Sequence, residues 1–209
     1  MSKPVIYTVG HSNHPIDYFL ELLQAFSIDS LVDVRSIAAS AYNPQFNRAP
    51  LSHFLRTNDI SYDHFGREFG ARHIDPQLLD NDGKVDFEKV QKTDTFRSGV
   101  EKLLVGIDQG KTIALMCSEA EPFDCHRFAM VSAVLVKEGF DVRHILKDKT
   151  VKENSELEAQ LLKKYEKRIP QPGLFDPNVT REDQVAAGYR FRNKDIGYSP
   201  DKKETEERL

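Results

Sequence analysis

The sequence has no tryptophan, only two cysteines in 209 residues, and no apolar run long enough to cross a lipid bilayer. Two cysteines cannot form the disulfide framework of a small secreted protein, so we expect Cys117 and Cys125 to be reduced thiols. The first residues, MSKPVIYTVGHS, lack the apolar stretch of a secretory signal. These absences predict a cytoplasmic protein without a membrane partner.

Positive charge is not in excess either. The 29 lysine and arginine residues are outnumbered by 33 aspartate and glutamate residues, which gives a net charge of −4. This balance excludes a protein that coats nucleic acid by charge alone, but it does not exclude an enzyme that contacts nucleic acid locally. The hydrophobic fraction of 39% is sufficient for a packed core.

Short apolar runs alternate with helical patterns in the first part of the chain. The runs predict about five strands, at residues 5–9, 31–34, 60–65, 112–117 and 141–145. Helical spacing of apolar residues separates them, and Asp124 is placed to cap the helix before the last strand. Strands that alternate with helices predict an α/β fold with a mostly parallel sheet and helices on both faces.

The composition changes near residue 149, where the chain becomes charged. Leu157, Leu161 and Tyr165 recur at helical spacing and predict one C-terminal helix, after which proline and glycine interrupt the pattern. We therefore divide the chain into an α/β core domain (1–148) and a C-terminal helix with a flexible tail (149–209).

Polar and titratable residues follow several of the predicted strands. An open parallel sheet binds its ligands beyond the carboxyl ends of its strands. The residues that this rule would bring together are His11, Ser12, Asp33, Arg35, Ser36, Cys117, Glu119, Cys125, His126 and Arg127.

The segments that carry these residues resemble the motifs of the domain of unknown function 488 family. They are, in order, YTVGHSN, LVDVRS, NPQFNR, FGREFGAR and ALMCSEAEPFDCHR, and the resemblance covers residues 5–145. Two loop positions depart from the family pattern, at Ala71, where glycine is more frequent, and at Ile37-Ala38, where proline is common. The resemblance implies the fold and the site but no reaction, because the family's activity is not established.

Glu119 is the first candidate for a catalytic residue. A carboxylate directly after a buried strand, if partly buried itself, would have a raised pKa and could transfer protons or attack a sugar carbon. The alternative is that Glu119 only forms an ion pair with Arg35 or Arg127. We expect Asp33 to be its catalytic partner, or to pair with Arg35, which follows it on the same side of the strand.

Cys125 and His126 are the second catalytic candidate. Cys125 would lie in the first turn of a helix, where backbone N–H groups favour a thiolate, or it could simply pack the start of that helix. Cys117, Cys125, His126 and His11 are zinc-ligand types, yet the C-x7-C-H spacing matches no common structural zinc pattern. From the sequence we therefore predict neither a metal nor a cofactor.

Basic and hydroxyl side chains supply candidates for binding an anionic substrate. The set is His11, Ser12, Arg35, Ser36, Arg48 and Arg127. Basic residues interleaved with aromatic ones in the middle loops suit phosphate contact and base stacking, although acidic neighbours dilute their charge and a solvated loop surface is the alternative.

The segment QPGLF at residues 171–175 resembles the Q-x-x-L-F peptide with which bacterial replication and repair proteins bind the DNA sliding clamp. Gln171, Leu174 and Phe175 would make the contacts. The alternative is that Leu174 and Phe175 pack the tail onto the domain.

Together these features predict an enzyme that acts on nucleic acid or nucleotides, in which a modified base or its glycosidic bond is processed. Two alternatives stay open. One is a thiol- or metal-dependent enzyme that uses Cys125, and the other is a non-catalytic anion-binding or adaptor module linked to DNA replication or repair.

Overall fold

A computed structural model describes residues 3–173 and 176–200 of the chain. Its strands are β1 (Val5–Gly10), β2 (Ser30–Asp33), β3 (Ser61–His64), β4 (Ile113–Cys117), β5 (Asp141–Ile145) and β6 (Val151–Glu153). Its α-helices are α1 (Ile16–Gln24), α2 (Arg48–Arg56), α3 (Gly66–Phe69), α4 (Phe87–Gln91), α5 (Asp94–Asp108), α6 (Ala133–Lys137), α7 (Asn154–Lys164) and α8 (Arg181–Ile196).

The six strands form one sheet in the order β3-β2-β4-β1-β5-β6. The first five of these run parallel, and only β6 pairs antiparallel with its neighbour β5. The predicted α/β class with a mostly parallel sheet is confirmed. The strand beyond the predicted set is β6, whose three residues, VKE, are too short and polar to give a strand pattern.

The sheet is covered on both faces, and alternate residues of its strands serve the two sides. On β4, Leu115 belongs to the core that contains Phe128 and Leu157, whereas Met116 belongs to the core that contains Phe19. All five residues of β4 are buried, since it is a central strand with helices above and below. This burial explains why β4 is the continuous apolar run IALMC.

The C-terminal segment contains two helices rather than one. The predicted helix is α7, and it is followed by α8, where the sequence analysis expected a tail. Leu161 of α7 and Tyr189 of α8 are part of the same buried core as the sheet. Because α8 is polar on nearly every side, its sequence lacks the apolar stripe that identifies a packed helix.

The segment between β4 and α6 differs from the expected helix. A 3-10 turn at Pro122–Asp124 comes first, a π-helical turn follows at Arg127–Ser132, and α6 continues from it. Asp124 does not cap this helix, because its carboxylate pairs with the guanidinium of Arg192 in α8. No helix in the part of the chain that the structure describes is long and apolar enough to span a membrane.

Candidate functional site

A cavity of about 480 Å³ opens at the carboxyl edge of the sheet, beyond β1, β2 and β4. Its walls come from the strand ends, from the loop after β2, and from the residues that follow α8. The lining residues are His11, Arg35, Ser36, Ile37, Ala39, Ser40, Asn43, Ala71, Arg72, Cys117, Ser118, Glu119, Asp124, His126, Ile196 and Tyr198.

Gly10 lets the ends of β1 and β4 meet at this edge. A Cβ atom at Gly10 would lie 1.9 Å from the carbonyl oxygen of Glu119, so no larger residue fits without a backbone shift. Beyond it, the His11 N–H donates to Cys117 O and the Ser12 N–H donates to Ser118 O, each at 2.9 Å. Through these contacts Gly10, His11 and Ser12 hold the end of β1 against the turn that carries Glu119.

Asp33 and Arg35 form a closed ion pair at the end of β2. Asp33 Oδ1 accepts from Arg35 Nε at 2.9 Å, and Oδ2 accepts from Arg35 Nη2 at 2.6 Å and from the Tyr62 hydroxyl at 2.8 Å. Asp33 is 0% exposed and does not line the cavity. Its role here is to hold Arg35, whose guanidinium reaches the cavity wall.

His11 completes this group, which we call the arginine cluster (His11, Asp33, Arg35 and Tyr62). Its Nδ1 lies 2.7 Å from Ser12 O and its Nε2 lies 3.1 Å from Arg35 Nη1. Burial, reinforced by the charge of Arg35, lowers the pKa of His11 to about 4. The ring is therefore neutral at pH 7, with Nδ1–H donating to Ser12 and Nε2 accepting from Arg35.

A second group lies at the end of β4, and we call it the thiol cluster (Cys117, Glu119, Cys125 and His126). The Sγ atoms of Cys117 and Cys125 lie 2.9 and 3.0 Å from the same oxygen, Oε2 of Glu119. The other oxygen, Oε1, accepts from the Ser118 hydroxyl at 3.2 Å. Glu119 itself is exposed to the cavity, whereas both thiols are buried behind it.

His126 faces the two thiols with one nitrogen. Its Nδ1 lies 3.7 Å from Cys117 Sγ and 3.8 Å from Cys125 Sγ, while its Nε2 lies 3.1 Å from the carbonyl oxygen of Val34. Since a carbonyl oxygen only accepts, Nε2 carries a proton and donates it to Val34. One ligand atom from each of the four residues lies within 4.8 Å of the other three.

Arg127 supports the thiol cluster from inside the protein. Its Nη1 and Nη2 donate to the carbonyl oxygens of Glu119 and Ala120 at 2.6 and 2.9 Å, and its backbone N–H donates to Cys125 Sγ at 3.4 Å. The residue is fully buried, and its Nε has no hydrogen-bond partner. Arg127 therefore fixes the turn that presents Glu119, and it does not reach the cavity.

The electrostatics of the two thiols differ. Burial, and then the neighbouring Cys125, raise the pKa of the Cys117 thiol. Burial also opposes ionisation of Cys125, but the hydrogen bond with Cys117 and the charges of Arg127 and His126 hold the pKa of its thiol well below the usual range. Although burial acts in the opposite direction, the contact with Cys125 raises the pKa of His126.

The structure brings most of the predicted site residues together at one edge. His11, Arg35, Ser36, Glu119 and His126 line the cavity. Ser12, Asp33, Cys125 and Arg127 lie directly behind them. Arg48 is the exception, because it lies at the start of α2 and lines a separate shallow groove with His53 and Tyr62.

The cavity also has walls that no motif indicated. Ile196 and Tyr198 reach it from the end of α8, and the guanidinium of Arg72 lies 5.3 Å from the centre of the Tyr198 ring. The backbone of Arg72 donates to the Ser36 hydroxyl at 2.9 Å. Arg72 ends the FGREFGAR segment of the family resemblance, whereas Ile196 and Tyr198 lie in a charged segment distant in sequence that carries no local signal for this contact.

The clamp-like segment is described only in part. Gln171 is exposed, and its side chain donates to Glu166 O at 3.1 Å and accepts from Gln184 Nε2 at 3.2 Å. Leu174 and Phe175 lie outside the described residues. Binding of a DNA sliding clamp through this segment stays a prediction.

Comparison with known proteins gives one match. The family model for the Domain of unknown function DUF488 matches residues 15–134, which include α1 to α5 and β2 to β4 and end within α6. Neither the curated proteins nor the solved structures yielded a significant match. The family model covers more than half of the chain and includes both the arginine cluster's ion pair and the complete thiol cluster, so the chain belongs to the DUF488 family.

Proposed function

We propose that the protein is an enzyme that acts on a nucleotide or on a base of a nucleic acid, and that the reaction takes place in the cavity at the carboxyl edge. The observation that carries this proposal is the position of Glu119. Its carboxylate is exposed on the cavity wall and accepts from two buried thiols, while Arg127 holds the backbone carbonyl of Glu119 from behind. A side chain held in this way is oriented toward whatever fills the cavity.

Glu119 suits proton transfer, because one of its oxygens accepts only a weak hydrogen bond from Ser118 and is reachable from the cavity. Cleavage of a glycosidic bond normally uses two carboxyl groups. Asp33 is engaged by Arg35 and Tyr62, whereas Asp124 lines the cavity together with Glu119. Asp124 also forms an ion pair, with Arg192 through Oδ1, but its side chain is 64% exposed and lines the cavity, so we propose Asp124 rather than Asp33 as the second carboxylate.

The remaining lining residues suit a flat, anionic substrate. A volume of about 480 Å³ lies in the range of small-molecule sites. Arg72 offers a guanidinium group for a phosphate, and the Tyr198 ring beside Arg72 offers an aromatic surface for a base. A base within a duplex would have to be flipped out of the helix to reach this edge.

The test is a search for products with purified protein. The protein is incubated with nucleosides and DNA that carry a panel of modified bases, and small products are identified by mass spectrometry. We expect Glu119→Gln to lower turnover by roughly 10²- to 10⁴-fold, the range for loss of a general acid or base. Glu121→Gln is the matched control, because Glu121 is exposed in the same turn but does not line the cavity.

Full activity of Glu119→Gln would refute the role of this carboxylate, and absence of product across the panel would refute the substrate class. A thiol enzyme is the second candidate, favoured by the 3.8 Å between Cys125 Sγ and His126 Nδ1. Against it, Cys125 is 1% exposed and does not line the cavity. Activity that survives Glu119→Gln but is lost in Cys125→Ser would select the thiol mechanism.

A further inference from the structure

Four side chains of types that bind metal ions converge in the thiol cluster. The S···N distances from His126 Nδ1, 3.7 and 3.8 Å, are close to the ligand–ligand edge of about 3.6 Å in a tetrahedral zinc site with Zn–S near 2.3 Å and Zn–N near 2.1 Å. The two sulfurs also converge on a single oxygen of Glu119. The donors are therefore arranged around a common centre rather than along a surface.

His126 is oriented as a metal-binding histidine is. Its Nε2–H donates to the Val34 carbonyl at 3.1 Å, which leaves Nδ1 directed at the sulfurs. Ligating histidines generally donate their second N–H to a carboxylate or a carbonyl, and this bond fixes the ring. The contact with Val34 is made by a residue of a different segment, just after β2, so it is a feature of the tertiary fold.

The charges around the cluster also favour a bound cation with two thiolates. As thiols, Cys117 and Cys125 can each donate to Glu119 Oε2, but as thiolates they would place two further negative charges 2.9 to 3.0 Å from a carboxylate, and a shared cation would compensate that charge. Arg127 lies buried beside them, and within the described residues it forms no ion pair with a carboxylate. A Zn²⁺ ion with two thiolates and a neutral imidazole carries no net charge, so the positive charge of Arg127 would offset the remaining negative charge of Glu119.

Access to the cluster is open on one side. Cys117, Glu119 and His126 all line the cavity, so an ion and a water molecule can enter from solvent. The other side is closed by Arg127 and by the buried start of the π-helical turn.

We propose that Cys117 Sγ, Cys125 Sγ and His126 Nδ1 bind one Zn²⁺-class cation, and that Glu119 lies beside the fourth coordination position, which faces the cavity. Two thiolates and an imidazole select zinc over the oxygen-seeking cations magnesium and calcium. A position open to a cavity next to a carboxylate is typical of zinc sites that activate water. The metal assignment stands whether or not the substrate is a nucleotide.

Local spacing gave no indication of this site because the ligands come from two different elements. Cys117 ends β4, and Cys125 and His126 precede the π-helical turn, with the 3-10 turn at Pro122–Asp124 between them. Known structural zinc motifs place paired ligands in one tight loop, so a C-x7-C-H spacing falls outside them.

The proposal is tested by metal binding without any substrate. Reduced, metal-free protein is titrated with Zn²⁺ against a chromophoric chelator, and separately with Co²⁺, whose thiolate charge-transfer and ligand-field absorption report sulfur ligands and tetrahedral geometry. We expect one ion per chain. Cys117→Ser, Cys125→Ser and His126→Gln should each weaken binding by at least about 100-fold, more than the loss of a supporting second-layer contact.

Two variants serve as controls for this titration. His53→Gln, an exposed histidine of α2, should leave binding unchanged. Glu119→Gln should keep the ion, since the proposal does not count Glu119 among the three ligands, and this variant separates the metal site from the catalytic proposal. Circular dichroism establishes that each variant is folded before it is titrated.

Thiol labelling gives a second measurement that does not depend on variants. The chain has only two cysteines, and both belong to the cluster, so every thiol signal reports this site. We expect Zn²⁺ to slow alkylation of both thiols together. Binding that is unaffected by Cys117→Ser and Cys125→Ser, alkylation unchanged by Zn²⁺, or a disulfide between the two cysteines in reducing buffer would each overturn the proposal.

Discussion

The arginine cluster and the thiol cluster lie side by side at the same edge of the sheet, but they differ in how their polar atoms are satisfied. In the arginine cluster, every charged group has a partner of opposite charge or a hydrogen bond within the protein. The carboxylate of Asp33, for example, accepts hydrogen bonds from both Arg35 and Tyr62. In the thiol cluster, the two sulfurs, Glu119 Oε2 and His126 Nδ1 have one another as partners, and the guanidinium of Arg127 donates to carbonyl oxygens behind the turn.

This difference indicates that the arginine cluster positions side chains, whereas the thiol cluster can react or bind a ligand. A buried ion pair with complete hydrogen bonding holds side chains in place and has little capacity left for a ligand. Donors that converge on a shared point next to a cavity have that capacity, since a cation or a substrate can replace the contacts between them. We therefore infer that the arginine cluster holds the side chains of the site in place and that the thiol cluster binds a cation or reacts with a substrate.

The largest expected effect comes from Asp33→Asn. This change leaves the buried guanidinium of Arg35 without its carboxylate, and breaking a buried ion pair in this way costs about 3–5 kcal/mol. The free energy of unfolding, measured with urea, should fall by this amount. Turnover and metal binding should decrease only to the extent that the protein is unfolded.

Glu119→Gln is the matched control for that measurement, because it is the same carboxylate-to-amide change in the other cluster. Glu119 is exposed and glutamine keeps one carbonyl acceptor for the thiols, so its replacement should lower the free energy of unfolding by about 0.5–1.5 kcal/mol, less than Asp33→Asn does. Equal losses of stability in Asp33→Asn and Glu119→Gln would contradict the assignment of the structural role to the arginine cluster.

A smaller effect is expected from the pH dependence of His11. Its pKa is about 4 in the folded protein and about 6.5 in the unfolded chain, so the unfolded state binds the proton first. Its contribution to stability is complete above pH 6.5 and is lost as the pH falls toward 4, by about 3 kcal/mol at most. Arg35, Asp33 and Glu119 are the charged groups that act on the ring.

The measurement compares urea unfolding of the protein and of His11→Gln between pH 7 and pH 4. Other histidines with lowered pKa values, among them His144, titrate in the same range, so only the difference between the two proteins reports His11. Stability that falls less steeply with decreasing pH in His11→Gln supports a neutral His11. Parallel curves would show that folding does not shift the pKa of His11.

The parts of the fold that were predictable are those with a local pattern. The five parallel strands and α1, α5 and α7 carry apolar residues at strand or helical spacing, and their positions were predicted to within a few residues. Helix α8 was missed because Arg192 and Tyr189 are buried through polar contacts with Phe123 O and Asn154, which helical periodicity does not register.

For the site, the rule that ligands bind at the carboxyl ends of parallel strands was sufficient to collect Glu119, His126 and Arg35. It could not assign their roles. Whether Asp33 faces the cavity or Arg35 depends on side-chain direction at the strand end. Whether two cysteines eight residues apart meet depends on the turn between them. Both are properties of the packed tertiary structure.

A still smaller effect on stability than that of His11 is expected from Gly10→Ala, which tests how the two clusters are coupled. Gly10 precedes His11 of the arginine cluster and touches the backbone of Glu119 in the thiol cluster, where an added Cβ would lie 1.9 Å from a carbonyl oxygen. Relief of that overlap requires the turn to move, at a cost of about 1–3 kcal/mol. Since the turn carries Glu119, its displacement should also lower the turnover of the protein that remains folded.

Gly173→Ala is the control and should change neither turnover nor stability, because the described atom that an added Cβ would meet there, Gln171 O, lies 3.9 Å away. If Gly10→Ala retained full turnover, the contact between β1 and the turn would be a packing feature alone, and the position of Glu119 would depend on Arg127.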